Sequence, residues 1–311
     1  MNIPALPSGE QYELSYRDQR AVVVEVGGGL RAYSCGDWQV LDGYEATEMC
    51  SGARGQPLIP WPNRLRDGRY SFNGEQHQLP LSEPERRNAI HGLVRWANWT
   101  CAEHSSARVV MHHALRPQPG YPFALDLRIE YALADDGLSV RTTATNAGSE
   151  ACPYGAGVHP YVSVGTPTID DVVVQAPGAL RLTTDDREIP VGEERVEGTA
   201  YDFRRPRRLG NMKLDTALAQ LARDTDGRAR VVVSGNGRTV SIWFDESYGY
   251  LMLFTGDSLP DKSRRRRSLG VEPMTCAPNA FASGDGLQMI DPGETVSASW
   301  GITAVRDATG A

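Results

Sequence analysis

Residues 125–145 read Leu-Asp-Leu-Arg-Ile-Glu-Tyr-Ala-Leu-Ala-Asp-Asp-Gly-Leu-Ser-Val-Arg-Thr-Thr-Ala-Thr. Leu125, Leu127, Ile129, Tyr131 and Leu133 fall on one face of an extended chain, and Asp126, Arg128 and Glu130 on the other. A period of two is the mark of a half-buried β-strand. Asp136-Gly137 then supplies residues that tolerate the backbone of a tight hairpin turn, so 125–133 and 138–145 are expected to pair antiparallel.

The same grammar recurs along the chain. Val240, Ile242 and Phe244 alternate, and 21–26, 108–115, 229–234 and 248–255 are short runs rich in β-branched or aromatic residues. Asn73-Gly74, between 69–72 and 76–79, and Asn236-Gly237 are further hairpin signals. With 32 Gly and 20 Pro among 311 residues, long helices have little room. One helix is expected over 213–223, where Leu214, Leu218 and Leu221 recur at helical spacing among good helix formers. No linker, composition break or fixed-period repeat divides the chain. The reading is all-β: one domain over 1–311, a large antiparallel β-sandwich with few short helices.

Composition narrows the function. The 32 basic and 39 acidic residues leave a net charge of −7, which argues against a nucleic-acid or anionic-membrane partner. The run Arg264-Arg265-Arg266-Arg267 is read as a solvated loop rather than a binding patch. Five widely spaced cysteines form no Cys-x-x-Cys pair and no Cys/His group with zinc spacing, so no metal is expected. The first residues lack the basic and apolar regions of a signal peptide, and no apolar stretch approaches the ~18 residues of a membrane helix. The expectation is a soluble, reduced, cytoplasmic protein. Phosphate-binding loops, dinucleotide fingerprints and Gly-x-Ser-x-Gly elbows are missing from the sequence.

A few side chains stand out by their setting. Glu272 lies in Leu269-Gly270-Val271-Glu272-Pro273-Met274, apolar apart from its carboxylate. Burial there would raise its pKa toward neutrality and make it a usable general base; the alternative is a strand-end Glu paired with an arginine. His159 sits in Gly157-Val158-His159-Pro160-Tyr161, where the proline biases it toward an extended backbone. It suits a placed proton donor, or equally a core histidine satisfied by a carbonyl. His91 precedes Gly92, which lets a ligand or another segment come close. Arg64 follows Asn63 after two stiffening prolines, Pro60 and Pro62, and could fork onto two ligand oxygens or serve in a surface ion pair. Asp202, flanked by Tyr201 and Phe203, suits a sugar hydroxyl beneath an aromatic ring, or a pair with Arg204 or Arg205. Together they offer the paired acid and base, and the rigid polar groups, of a carbohydrate enzyme.

In order and wording these segments resemble the aldose 1-epimerases (mutarotases). The likeness runs from about residue 20 to residue 303 and covers 57–70, His91-Gly92, Gly120-Tyr121-Pro122-Phe123, 157–161, 198–204, Leu214-Asp215 and 271–274. The resemblance implies the galactose mutarotase-like supersandwich, no cofactor, and a monosaccharide (hexose) partner, the protein being a monomer or homodimer. It also implies roles: Glu272 as general base, His159 as general acid, His91 as a second active-site histidine, and Arg64 as a substrate-positioning group. Asn63, Tyr161 and Asp202 would complete the sugar contacts. The implied reaction opens the ring to the aldehyde and closes it on the other face. The stretch from Val271 to Phe281, with Phe254-Thr255-Gly256-Asp257 before it, is similar to a bacterial subgroup that includes the sulfoquinovose mutarotases; a sulfonated sugar would need a cationic contact. The alternatives are a hexose-6-phosphate epimerase, with Arg86, Arg87 and Arg95 near the phosphate, and a sugar-binding module without catalysis.

Overall fold

The computed structural model describes residues 5–307. The 125–145 stretch forms the ladder its alternation predicts: Leu125–Ala134 pairs with Gly137–Asn146, Ile129 opposite Thr142 and Tyr131 opposite Val140. This hairpin lies inside a nine-stranded sheet. Its order is Thr100–His104, Arg108–Leu115, Leu125–Ala134, Gly137–Asn146, Thr295–Arg306, Arg238–Phe244, Ala229–Gly235, Val173–Gln175 and Arg207–Arg208. Asn73-Gly74 and Asn236-Gly237 turn with positive φ at both residues, as primed hairpins require.

An eight-stranded sheet runs through Pro190–Arg195, Gly178–Thr184, Asp215–Leu221, Tyr250–Phe254, Leu269–Met274, Gly157–Val158 and Pro57–Leu58, with Tyr161–Val162 also paired to Leu269–Met274. Inward side chains of both sheets join one buried cluster: Leu127, Ile129, Val231 and Ile242 from the first, Leu218, Leu251, Leu253 and Val271 from the second. Apolar residues enclosed between two pleated faces hold such a sandwich together by the water they exclude. A four-stranded sheet, Gln11–Tyr16 to Trp38–Gln39, adds Leu14, Val23 and Tyr33 to the same core. Among the described residues the single α-helix is the short Ala280–Ser283.

Two expectations are corrected. Residues 213–223 are not a helix: Asp215–Leu221 is a strand paired with both Gly178–Thr184 and Tyr250–Phe254. Ala217, Leu218 and Ala219 are buried in succession because both faces of this strand are covered. A short, doubly buried apolar run carries no alternation, so leucines three and four apart fit either element. The arginine run is not simply solvated either. Arg264 donates to the Gly43 carbonyl at 2.7 Å and pairs with Asp42 at 3.4 Å. Arg266 pairs with Asp170 at 2.7 Å and Asp257 at 3.1 Å. Drawn against the body of the protein, these charges need carboxylate partners.

Period two also positions the site. Val271 points into the core, so Glu272 points out of it, beside its cross-strand partner Met252 and, next along, Ala217. Asp215 and Phe254, two residues further along their strands, share this outer face.

Candidate active site

Glu272 is 2% exposed on a strand whose six residues are all buried. Gly270, two residues earlier on the same face, leaves room for it: a Cβ there would lie 3.3 Å from Glu272 Oε1 and 3.1 Å from Phe254 Cβ. His159 Nε2 lies 3.2 Å from the same carboxylate oxygen. His159 is buried too, and its Nδ1 meets no hydrogen-bond partner among the described residues. The ring is held instead by stacking on Tyr161, with centroids 4.8 Å apart and planes 14° from parallel.

Both ionisable groups are pushed toward their neutral forms. Burial drives the Glu272 pKa well up; Asp215 adds to this and Arg64 opposes it. Burial, then the positive charges of Arg95 and Arg54, draw His159 down to about 3. Below the raised pKa of Glu272 the pair therefore holds one proton, which either residue can carry.

His91 stands edge-on to His159, with ring centroids 5.5 Å apart. It is tied to Asn63 twice: the Asn63 N–H donates to His91 Nδ1 at 3.1 Å, and the His91 N–H to the Asn63 carbonyl at 3.0 Å. Asn63 Oδ1 accepts from the Arg64 N–H at 2.8 Å. Arg64 is buried, its Nε and one terminal nitrogen forked onto Glu83 at 3.0–3.2 Å, while its other nitrogen lies 3.6 Å from Asp215. These groups surround an open pocket of about 670 Å³. Arg95 lines it without an ion pair among the described residues, burial pulling its pKa below the usual arginine range, and its neighbour Trp96 stands half exposed at the same pocket.

Six of the seven residues singled out from sequence converge here: Glu272, His159, His91, Arg64, Asn63 and Tyr161. Tyr161 enters as a support, because its hydroxyl donates to the Gly52 carbonyl at 2.8 Å rather than to the pocket. Asp202 is elsewhere. Its carboxylate is clasped by Arg204 at 2.8 and 2.9 Å, which holds its pKa near about 2. Asp215, in the segment read as helical, does line the pocket, as do Glu83 and Glu85. Arg86 and Arg95 line the pocket, but Arg87 is largely exposed and pairs with Asp67 at 3.3 Å, so the three do not form a phosphate-binding cluster.

The Aldose 1-epimerase family model matches residues 10–303. The uncharacterized YihR protein of Escherichia coli is 30% identical over 288 residues, 92% of this chain and 91% of YihR. Human galactose mutarotase is 30% identical over 163 residues, covering 50% of this chain and 46% of that protein. Among solved structures, the GalM/aldose epimerase homologue from C. elegans superposes with a TM-score of 0.86 at 17% identity, over 96% of this chain and 99% of that one. Galactose 1-epimerase from Lactobacillus acidophilus gives 0.80 at 19% identity, over 95% and 94%. At such identities the structural likeness establishes the fold.

Proposed function

Because the chain belongs to the aldose 1-epimerase family, we propose that it interconverts the α and β anomers of a hexose by acid–base ring opening and closure. The observation that carries this reading is the 3.2 Å contact between His159 Nε2 and Glu272 Oε1 at the pocket. Mutarotation moves a proton off the anomeric hydroxyl and another onto the ring oxygen. Both oxygens are bonded to one carbon, so acid and base must be close neighbours.

In the empty pocket burial favours a protonated Glu272 beside a neutral His159. A sugar changes that balance: its hydroxyl donates to a carboxylate, and its ring oxygen accepts from an imidazolium, so both charged forms gain a partner. Glu272 then takes the hydroxyl proton as His159 protonates the ring oxygen, giving the open aldehyde. Rotation about the bond between the first two carbons presents the other carbonyl face, and closure with the roles reversed yields the opposite anomer. Neutral His91, Arg64 and Asp215 are available to hold the remaining hydroxyls.

Arg95 favours a hexose that carries an anionic group, as in the sulfoquinovose mutarotase subgroup. A cation in the pocket with no carboxylate partner is costly until an anion reaches it. The setting we infer is the cytoplasm, consistent with five free cysteines.

The test is polarimetry of freshly dissolved α-glucose and α-galactose, and NMR of α-sulfoquinovose, with and without protein. Faster approach to equilibrium is expected, with the anionic sugar ranking first, and Glu272→Gln should lower the rate by about 10²–10⁴-fold while sugar binding persists. No acceleration of any sugar, or an active Glu272→Gln protein, would overturn the assignment.

A further inference from the structure

Among the described residues His159 lacks the support a working histidine commonly has, a hydrogen bond from its second ring nitrogen. The segment Ser51-Gly52-Ala53-Arg54-Gly55-Gln56 supplies another kind. The Gly55 N–H donates to the His159 carbonyl at 2.9 Å, and the Gly52 carbonyl accepts from the Tyr161 hydroxyl at 2.8 Å. The Arg54 guanidinium lies over the Tyr161 ring, 4.4 Å from its centroid, on a side chain only 2% exposed. Tyr161 thus touches both the Arg54 guanidinium and the His159 ring.

The turn is built for this. Gly52, Ala53 and Gly55 all have positive φ, a conformation that costs a residue such as Ala53 energy. A Cβ on Gly52 would come within 3.0 Å of the Tyr161 hydroxyl and 3.1 Å of an Arg54 nitrogen. From behind, Asp42 anchors these groups. Its carboxylate is 3.5 Å from Arg54 and 3.4 Å from Arg264, and accepts from the Ser268 hydroxyl at 3.0 Å. The Asp42 N–H also donates to the Tyr161 carbonyl at 2.9 Å. Among the described residues Nε of Arg54 has no partner, while one terminal nitrogen donates to the Ser51 carbonyl at 2.9 Å.

We propose that Arg54 is a positioning residue for the epimerase reaction: through Tyr161 it fixes the His159 ring and keeps its charge from settling on the resting enzyme. This rests on His159 acting in the proposed reaction. Its physical content is independent, since a fixed positive charge behind a neutral aromatic ring disfavours an imidazolium in front of it. The charged or titratable groups around His159 are Glu272, His91 and Arg95 at the pocket and Arg54 behind Tyr161. Among them, Arg54 is absent from the pocket lining, so its replacement should spare sugar contacts.

The experiment compares Arg54→Met and Arg54→Lys with wild type. Ring-¹⁵N NMR of labelled histidines, with His159 assigned by its disappearance in His159→Asn, reads protonation without any turnover. Arg54→Met should raise the pH at which His159 takes up its proton by about one unit, the size of one screened charge interaction at about 10 Å. Arg54→Lys, which keeps the charge, should remain near wild type. In turnover, Arg54→Met should lower kcat roughly three- to ten-fold and leave KM within about two-fold. Equal shifts in the two variants, or none in Arg54→Met, would overturn the proposal. Should Arg54→Met fail to fold, Tyr161→Leu breaks the stack with the Asp42 anchor intact, and an unchanged kcat there would overturn it as well. A wild-type protein inert toward all sugars sinks the epimerase reading instead, and leaves the NMR comparison standing.

Discussion

Asn63 and His91 hold each other by two reciprocal hydrogen bonds, and both sit in left-handed backbone, at φ 56° and 64°. Because His91 Nδ1 accepts the Asn63 N–H, the one proton of the neutral ring is fixed on Nε2. Burial, with Arg95, His159 and Arg64 around it, keeps this imidazole neutral by lowering its pKa well below the ordinary value. His91 is therefore a fixed donor rather than a second proton carrier. Replacing it with Phe should lower kcat/KM by about 10- to 100-fold, the worth of one well-placed hydrogen bond. Gln, whose amide can reach the Nε2 position, should recover part of the loss. Steady-state kinetics on the preferred sugar checks both, and a His91→Phe protein at wild-type efficiency would remove His91 from the site.

Two carboxylates compete for the role of holding a sugar hydroxyl, and their geometry ranks them. Asp215 faces the pocket, 3.6 Å from Arg64; Asp202 is spent on Arg204. Asp215→Asn should lower kcat/KM, and Asp202→Asn should leave it unchanged. The first substitution has a second signature. The charge of Asp215 helps raise the pKa of Glu272, so its removal lets Glu272 ionise at lower pH. The alkaline limb of the rate profile should then move down in pH. The opposite ranking of the two variants would restore Asp202.

How much of this was legible beforehand divides along physical lines. The half-buried strands write their burial into alternation, so 125–145 declared its fold directly. Glu272 and His159 were visible because a lone charge in an apolar run, and a histidine braced by proline, are locally odd. Asp215 was missed because it opens a strand buried on both faces, where period two vanishes and leucine spacing mimics a helix. Asp202 attracted notice for its aromatic flanks, yet Arg204, two residues on, was near enough to claim it. Arg54 left no periodic trace. Its role arises from contacts with Asp42 and Tyr161 that only the tertiary fold creates.

Gly270 should prove as sensitive as a catalytic residue although it carries no functional group. Its missing side chain makes the space in which Glu272 Oε1 meets His159. Gly270→Ala needs no unusual backbone, since its φ is not positive, so the cost falls on packing. Crowding Phe254 and Glu272 should cost about 1–3 kcal/mol of stability. It should also lower kcat far more than a comparable substitution elsewhere in the core, because a shifted carboxylate loses its alignment. Thermal melts beside kinetics separate the two effects, and a stable, fully active Gly270→Ala protein would refute the close fit.

The proton shared by Glu272 and His159 should also be written into stability. In the unfolded chain Glu titrates near about 4.3 and His near about 6.5. In the folded pair His159 falls to about 3 and Glu272 rises well above its ordinary value, so one proton stays bound until Glu272 ionises. Between roughly pH 4.3 and 6.5 folded and unfolded states each hold one proton here, and the pair contributes no slope. Above about 6.5 the unfolded chain has lost both while the folded pair keeps one. Stability then falls with rising pH by up to about 1.4 kcal/mol per unit until Glu272 ionises. Below about 4.3 the unfolded chain holds two, so stability falls with falling pH. In Glu272→Gln the alkaline descent should vanish, because neither state of the remaining histidine binds a proton there. Subtracting the two Tm-against-pH curves between pH 5 and 9 cancels the other titrating groups. The difference should tilt in favour of Glu272→Gln throughout: up to about pH 6.5 the variant gains stability, because its unfolded histidine holds a proton that buried His159 does not, and above that wild type loses it. Parallel curves would mean that Glu272 is already ionised in the folded protein.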